Sequence, residues 1–269
     1  MLAIKNNLMA QNAARNLGTS YDSLSKSVER LSSGLRINSA KDDAAGLAVR
    51  ELMRADIAVL DQGVRNAQDG ISMLQTMEGA TATIDEALIR MKQLAEQAST
   101  GSYSDTQRVI MNSEFTEMAE EINRIAGATA FNGITMLNNS SAVSIQFGDS
   151  TDTISVSGAN LTKSGLGLST AGIASASSAS AALAAVESAI DAKDTARAAF
   201  GYKMNRLEST VSVLNIQKEN LESAESRISD VDVATEMANM TKNQVLAQTG
   251  ISMLAQANSM PQMALSLLS

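Results

Sequence analysis

The N-terminal stretch places apolar side chains at alternating intervals of four and three residues. This spacing is typical of a helix whose narrow apolar seam packs against another helix rather than inside a broad globular core. Gly34 and the pair Asn38–Ser39 then predict a break in the helix. The predicted seam consists of Leu17, Tyr21, Leu24, Val28, Leu31 and Leu35.

A much longer helical pattern begins near Asp43, whose carboxylate suits a helix N-terminus. It continues to about residue 99 and ends before Thr100–Gly101. Ser104 and Gln107 have the spacing of a capping box that starts a third helix. The long pattern supplies the first half of a predicted rod-core seam: Ile57, Leu60, Val64, Ile71, Leu74 and Leu88.

The middle of the chain changes from helical to strand-like periodicity. Asn132–Gly133 predicts a tight turn. Apolar residues alternate with polar ones over 143–147 and again over 154–157, so a small β-hairpin is expected at about 140–160. The Ser-, Ala- and Gly-rich stretch 169–182 is interpreted as a loop that leads into the next helix.

Helical periodicity returns at Leu183 and continues almost to the C-terminus, with a break at Asp230–Asp232. It supplies the second half of the rod-core seam: Leu207, Val211, Leu214 and Leu221. The last segment is rich in Met, Leu and Ala, and its candidate assembly residues are Met237, Met240, Leu254 and Leu265. The methionines of this segment, including Met237, Met240, Met253, Met260 and Met263, are interpreted primarily as packing positions, with a promiscuous binding face as the alternative.

The predicted fold is therefore mainly α: a long antiparallel helical coiled-coil or bundle rod with a small β-hairpin region and paired N- and C-terminal helices. Helical seams occupy both ends of the sequence, so two helices far apart in the chain must meet. We expect an inner terminal coiled-coil domain of residues 1–42 and 230–269. Residues 43–229 are expected to form a rod domain.

Composition excludes several functions. The chain has no His and no Cys, so an imidazole base, a thiol nucleophile and a zinc thiolate site are ruled out. We therefore expect no enzyme activity, no metal and no cofactor. A net charge of −8 with scattered basic residues gives no footprint for nucleic acid. No run of about 18 apolar residues predicts insertion into a membrane.

Two carboxylate pairs, Asp42–Asp43 and Glu120–Glu121, have the residue type of a catalytic dyad. No base, metal cluster or glycine-rich phosphate loop accompanies them, so helix capping and solvated helix faces are the better interpretation. Polar residues from Asn6 to Asn12 interrupt the apolar region that a secretory signal peptide needs. If the chain leaves the cell, we expect it to do so without a cleaved signal peptide.

Long segments of the chain closely resemble the bacterial flagellin family. They are RLSSGLRINSAKDDAAGLAV at 30–49, RNAQDGISMLQTMEGA at 65–80, EINRIAGATAFNGITML at 121–137, ENLESAESRISDVDVATE at 219–236 and MLAQANSMPQMALSLLS at 253–269. The resemblance implies a subunit that assembles into the extracellular flagellar filament for swimming motility. It also implies export in an unfolded state through the flagellar type III apparatus. The hairpin and the returning helix are too close for outer domains, so a minimal subunit is expected.

The family resemblance also implies partners. They are further copies of the chain, hook-associated junction and cap proteins, and an export chaperone that grips the C-terminal segment. Arg90, Leu94 and Glu114 match positions that family members present to Toll-like receptor 5 as innate-immune ligands. Ile89 departs from the Gln often found beside that Arg. Packing between subunits is the alternative role of these three residues.

Competing functions follow from the same pattern. A hook–filament junction protein shares helical termini, but the unbroken resemblance over 253–269 favours the filament subunit. A secreted enzyme with coiled-coil ends conflicts with the residue inventory. A receptor-binding or adhesive module is compatible as a secondary role. Ser and Thr residues around 140–180 form a solvated region or carry O-linked sugars, and the sequence does not choose between these.

Isolated terminal segments gain little from folding alone. A narrow seam of apolar residues recovers only part of the backbone entropy lost when a long segment is ordered. Helical hydrogen bonds add little net stabilisation in water. We therefore expect both termini to be substantially disordered in the free subunit and to fold when neighbouring copies bury their seams.

Overall fold

The computed structural model describes residues 6–148 and 151–266, apart from the side chains of 261, 262 and 264–266. The predicted seam residue Leu265 therefore lies outside the described side chains. The helices are α1 (Leu8–Ser33), α2 (Ala44–Ser99), α3 (Asp105–Ala128), α4 (Ala176–Ser229) and α5 (Val233–Ser266). The strands are β1 (Ala130–Phe131), β2 (Ile134–Thr135), β3 (Ala142–Gln146) and β4 (Thr153–Ser157). The predicted mainly α fold with a small hairpin region is confirmed.

Polar side chains satisfy the free backbone groups at the ends of the helices. The Asn7 side chain accepts a hydrogen bond from the Ala10 amide at 3.0 Å and so caps α1. Asp43 accepts one from the Gly46 amide at 2.9 Å at the start of α2. Ser104 and Gln107 form the predicted capping box of α3. Gly34 ends α1 with a left-handed φ of 73°, a conformation that glycine adopts without steric cost.

The strands form two separate antiparallel pairs, β1 with β2 and β3 with β4. Asn132 and Gly133 join the first pair with φ values of 48° and 78°, the signature of a type I′ turn. The second pair is the predicted hairpin, in which Val143 lies opposite Val156 and Ile145 opposite Ile154. Ile145, Ile154 and Val156 are buried, so this hairpin presents one apolar face to the core.

The prediction of a loop over 169–182 is wrong for its last part, because α4 begins at Ala176. The Ser175 hydroxyl accepts a hydrogen bond from the Ser178 amide at 3.2 Å, in the manner of an N-cap. Ala179 and Ala182 are buried against the core. Alanine has the highest helix propensity, so a Ser/Ala-rich segment becomes helical when its alanines find a packing surface.

The chain divides into two compact units, of which the core unit comprises residues 58–219. Its largest buried side chains include Phe115 and Phe200. Of the predicted rod-core seam, Leu74, Leu88, Leu207 and Leu214 are buried, while Leu60, Val64, Ile71 and Val211 are partly buried. The core thus combines α2, α3, α4 and the β3–β4 hairpin.

The terminal unit comprises residues 1–57 and 220–269. In it α1 packs against α5, as predicted for the two chain ends. Two predicted rod-core residues, Ile57 and Leu221, belong to this unit and are partly buried. The expected domain boundaries near residues 42 and 230 coincide with helix ends, whereas the compact units divide within α2 and α4.

One seam residue lies outside the predicted helix. Helix α1 ends at Ser33, and Leu35 instead forms an antiparallel β-bridge with Asp230. The reason is the left-handed Gly34, which turns the chain out of the helix one residue earlier. Leu35 therefore belongs to the connector between α1 and α2.

Candidate assembly surface

Helices α1 and α5 meet along two complementary heptad seams. The α1 seam alternates leucines with small residues: Ala10, Ala13, Leu17, Ser20, Leu24, Ser27 and Leu31 are all partly or fully buried. The α5 seam has the same spacing and consists of Glu236, Met240, Asn243, Ala247, Gly250, Leu254 and Ala257. This alternation of three and four residues is that of a coiled coil.

The seam contacts show that the two helices are antiparallel. The Asn7 side chain, at the start of α1, donates to the Ala257 carbonyl at 2.7 Å. At the other end of α1, Arg30 lies 3.6 Å from Glu236. Between them, Leu17 covers Gly250 so closely that an added Cβ would lie 3.0 Å from Leu17 Cδ1. The small residue Gly250 on α5 thus leaves room for Leu17 of α1.

The predicted terminal-helix seam separates into two faces in the structure. Leu17, Leu24 and Leu31 turn inward towards the α1–α5 contact, as do Met240 and Leu254. Tyr21, Val28 and Met237 remain exposed, with about half of each side chain accessible to solvent. The other large exposed apolar residues of the two helices are Leu8, Met9, Val233, Val245, Leu246, Ile251, Met253 and Met263. We call this outward set, with Tyr21, Val28 and Met237, the apolar flank.

Sequence reasoning missed both the small seam residues and most of the flank. Ala13, Ser20 and Ser27 follow the same heptad as the leucines, but small side chains give a weak hydrophobic signal. The spacing of Ala247, Gly250 and Ala257 was the available sign that α5 presents a close-packing face. The flank also contains a shallow groove along successive turns of α5. The groove is lined by Met237, Ala238, Thr241, Lys242, Val245 and Leu246.

A short ladder of backbone contacts joins the connectors of the terminal unit. The Arg36 amide donates to the Ser229 carbonyl at 2.6 Å, and the Val231 amide donates to the Gly34 carbonyl at 3.0 Å. The Arg36 guanidinium also donates to the Ile228 carbonyl at 2.7 Å, near the end of α4. The segment that follows α1 and the segment that precedes α5 are therefore hydrogen-bonded to each other, although most of the sequence separates them.

Beside this ladder, the carboxyl group of Asp42 has a strongly lowered pKa. Lys26 lies 2.7 Å from it and Ser39 donates two hydrogen bonds to it. Mainly the hydrogen bond from Lys26, together with those from Ser39, lowers the pKa of Asp42 from 3.8 to about 2. The ion pair ties the end of the connector to α1.

The carboxylate pairs have structural partners. Asp42 and Asp43 hold the connector and cap α2, as described above. Glu120 pairs with Lys163 at 2.7 Å, and Glu121 pairs with Arg124 at 2.6 Å on the same helix. The hydrogen bond from Arg124 lowers the pKa of Glu121. Capping and solvated faces therefore explain these residues, and the described residues contain no cluster of three or more metal-ligating side chains.

The three predicted receptor-contact residues lie in the core unit. Arg90 on α2 and Glu114 on α3 are exposed and form an ion pair of 2.6 Å. Leu94 is only 2% exposed and packs in the core one turn further along α2. Ile89, beside Arg90, is exposed. A surface contact here is available to Arg90, Glu114 and Ile89, while Leu94 supports the α2–α3 packing beneath them.

Comparison with known families matches most of the sequence. Residues 4–142 match the bacterial flagellin N-terminal helical region, and residues 183–268 match the bacterial flagellin C-terminal helical region. The chain is 43% identical to a flagellin of Halalkalibacterium halodurans over 276 residues, which cover 99% of this chain and 100% of that one. It is 41% identical to a flagellar filament 33 kDa core protein of Treponema phagedenis over 287 residues, with 99% and 100% coverage.

Solved structures show a related architecture. The crystal structure of Bacillus cereus flagellin matches at a TM-score of 0.52 and 29% identity, covering 60% of this chain and 94% of that one. A flagellar hook-associated protein from Vibrio parahaemolyticus matches at a TM-score of 0.60 over 70% of this chain and 100% of that one. At 14% identity the latter similarity shows the fold alone. No helix among the described residues is long and apolar enough to cross a bilayer.

Proposed function

Because the chain belongs to the bacterial flagellin family, it is a structural protein of the flagellar filament and not an enzyme, and we propose that its copies polymerise through the apolar flank of α1 and α5. In this proposal, residues 1–42 and 230–269 form the inner part of the filament. Residues 43–229 form the rod domain.

The observation that carries the proposal is the contrast between the two units. The core unit buries leucines, isoleucines and methionines, together with Phe115 and Phe200. In the described part of the terminal unit, the buried apolar residues are Ile37, Ala247 and Ala257 alone. The large apolar side chains of the flank are exposed instead, as they are on proteins with an unfilled interaction surface.

A second copy of the chain is the occupant that this surface suits. The flank extends along both terminal helices, so a neighbouring helix pair of the same kind can cover it over its whole length. Burying a half-exposed Val, Ile, Leu or Met side chain stabilises an interface by on the order of 1 kcal/mol. Burial of about ten such residues therefore stabilises association, and in a polymer many copies together offset the entropy that is lost when the terminal helices are ordered.

The family also supports proposals about export, location and partners. The chain passes unfolded through the flagellar type III apparatus, without a cleaved signal peptide, and works in swimming motility in the extracellular filament. An export chaperone binds the Met-rich flank of α5 before assembly, because flexible thioether side chains suit a binding face that must later be released. In the finished flagellum the chain contacts hook-associated junction and cap proteins.

Seeded assembly tests the proposed function. Purified protein is mixed with sonicated filament seeds, and polymer is measured by sedimentation and negative-stain electron microscopy. We expect long uniform filaments from the wild-type chain. A variant with Val28→Ser, Val245→Ser and Ile251→Ser should keep its helicity, because these side chains are exposed in the monomer, but should lose assembly.

The controls separate this mechanism from the alternative. Replacing Thr76, Thr83 and Thr116, which are exposed on the core unit, with Ser leaves the flank intact and should leave assembly unchanged. Wild-type protein that stays monomeric with seeds, or that only caps hooks in a few copies, contradicts the filament proposal. The latter result supports a hook–filament junction protein.

A secondary role as an innate-immune ligand is favoured by the exposed Arg90–Glu114 pair. Charged side chains on a rigid helical face suit recognition by a receptor, here Toll-like receptor 5. The test is receptor signalling by the monomer. Arg90→Asp should lower activity at least tenfold, because it reverses a charge and repels Glu114. The control is Arg124→Asp, which reverses an exposed charge on α3 away from the Arg90–Glu114 pair. Equal activity of Arg90→Asp and wild type contradicts the role.

A further inference from the structure

We infer that exposed methionines on α1 and α5 are oxidation sites that make a free subunit unable to assemble. The inference rests on the proposed function, because it assigns a chemical switch to the surface that assembly covers. Met9, Met237, Met253 and Met263 are the sites. The oxidant class is hydrogen peroxide and related two-electron oxidants.

Thioethers are the readily oxidised sulfur groups of this chain, which has 15 Met and no Cys. The described methionines differ widely in exposure. Met9, Met237, Met253 and Met263 are 65%, 45%, 59% and 50% exposed on the terminal helices. In the core unit, the buried methionines Met73, Met77, Met91 and Met136 are shielded from solvent. A small oxidant therefore reaches the terminal set first.

The reaction needs no catalytic group from the protein. The thioether sulfur attacks one oxygen of hydrogen peroxide, an S–O bond forms, the O–O bond breaks, and the second oxygen leaves as water after proton transfer. The sulfur loses two electrons and the peroxide gains them. The product, methionine sulfoxide, is polar and can be returned to methionine by sulfoxide reductases.

The positions of these sulfurs connect oxidation to assembly. Met237 lines the α5 groove beside the exposed flank residues Val245 and Leu246. A sulfoxide buried there by a neighbouring subunit lacks the water that satisfies it in the monomer. Each modified site should therefore raise the critical concentration for assembly by roughly tenfold. The core unit should keep its fold, because its own buried methionines do not react.

The same geometry predicts a limited period of sensitivity. Before assembly the four thioethers face solvent, and after assembly they face a neighbouring copy. Filaments formed in advance should therefore take up oxygen at these residues more slowly than monomers do. Filament growth, rather than existing filaments, is the step that oxidants affect.

The experiment treats wild-type monomer with graded hydrogen peroxide, removes the oxidant, and measures critical concentration in the seeded assay while peptide mass spectrometry locates each sulfoxide. We expect oxidation at Met9, Met237, Met253 and Met263 to accompany the loss of assembly. A variant with all four changed to Leu, which conserves volume and apolarity, should assemble before and after treatment. A Met73→Leu, Met77→Leu variant, altered only in the core unit, should remain as sensitive as wild type.

The outcomes separate this inference from the proposed function. Failure of untreated wild-type protein to assemble overturns the proposed function and the inference with it. If untreated protein assembles and fully oxidised protein assembles equally well, the inference alone is wrong. It is also wrong if the variant with all four methionines changed to Leu loses assembly on treatment as wild type does, or if monomers and filaments are oxidised at equal rates at the four sites.

Discussion

Replacing Gly63 with Ala should destabilise the core unit, although alanine is the better helix former. Gly63 lies in α2 where the β3–β4 hairpin reaches the helix. A Cβ atom at this position would lie 2.2 Å from the Phe147 carbonyl oxygen and 2.9 Å from Phe147 Cα. One turn along α2, the Asn66 side chain donates to the Gln146 carbonyl at 2.8 Å and holds the hairpin in place. The obstruction is backbone, so a rotamer change cannot relieve it.

The magnitude follows from two opposing effects. A Gly→Ala change inside a helix contributes about 1 kcal/mol of stabilisation. Overpacking costs about 1–3 kcal/mol, with the upper end expected where backbone must move. The net effect at Gly63 is therefore a destabilisation of about 2 kcal/mol. Gly79, in the same helix, is exposed and has no atom within 4 Å of an added Cβ, so Gly79→Ala should stabilise by about 1 kcal/mol.

Thermal unfolding followed by far-UV circular dichroism compares the two variants. A difference of about 3 kcal/mol should separate their Tm values by roughly 6–12 °C in a domain of this size, with wild type between them. Equal or higher stability of Gly63→Ala relative to Gly79→Ala would refute the close seating of the hairpin on α2. A control measurement at several scan rates establishes that the transitions compared are at equilibrium.

Two further predictions concern charged groups. Lys193 is 3% exposed and lies between Asp85 and Asp194. Lys193→Ala should therefore destabilise the core unit by about 2 kcal/mol in denaturant unfolding. Lys193→Met, which keeps the apolar stem, should destabilise it by less. A loss no larger for Ala than for Met would contradict this. The lowered pKa of Asp42 means that its ion pair with Lys26 stabilises the fold above pH about 4 and loses this effect as pH falls towards 2. The stability gap between wild type and Asp42→Asn should therefore shrink over that interval in thermal scans, and a gap independent of pH would contradict it.

Much of the fold follows from local sequence patterns. The long helix α2 has an uninterrupted apolar period, a capping aspartate before it and a Thr–Gly end after it, so its bounds were predictable to within a residue or two. The hairpin was predictable because strict alternation over two short runs surrounds a turn-forming segment. In both elements the local preference and the tertiary packing agree.

Other features depended on partners that local patterns do not reveal. The start of α4 at Ala176 was missed because serine and alanine resemble a loop until Ala179 and Ala182 meet a core surface. The heptad of α1 indicated which positions were apolar but not which faced inward. Tyr21 and Val28 remain exposed because α5 packs against the other positions of the heptad, and α5 is more than 200 residues away in sequence.

Hydrogen–deuterium exchange of α1 and α5 in the monomer and in the assembled filament tests the central claim most directly. We expect amide protection over residues 8–33 and 233–266 to rise by several orders of magnitude on assembly, because neighbouring copies cover the apolar flank and suppress local opening. Residues 74–98, already packed in the core unit, should change little. Equal protection of the terminal helices in monomer and filament would contradict the claim that assembly completes their burial.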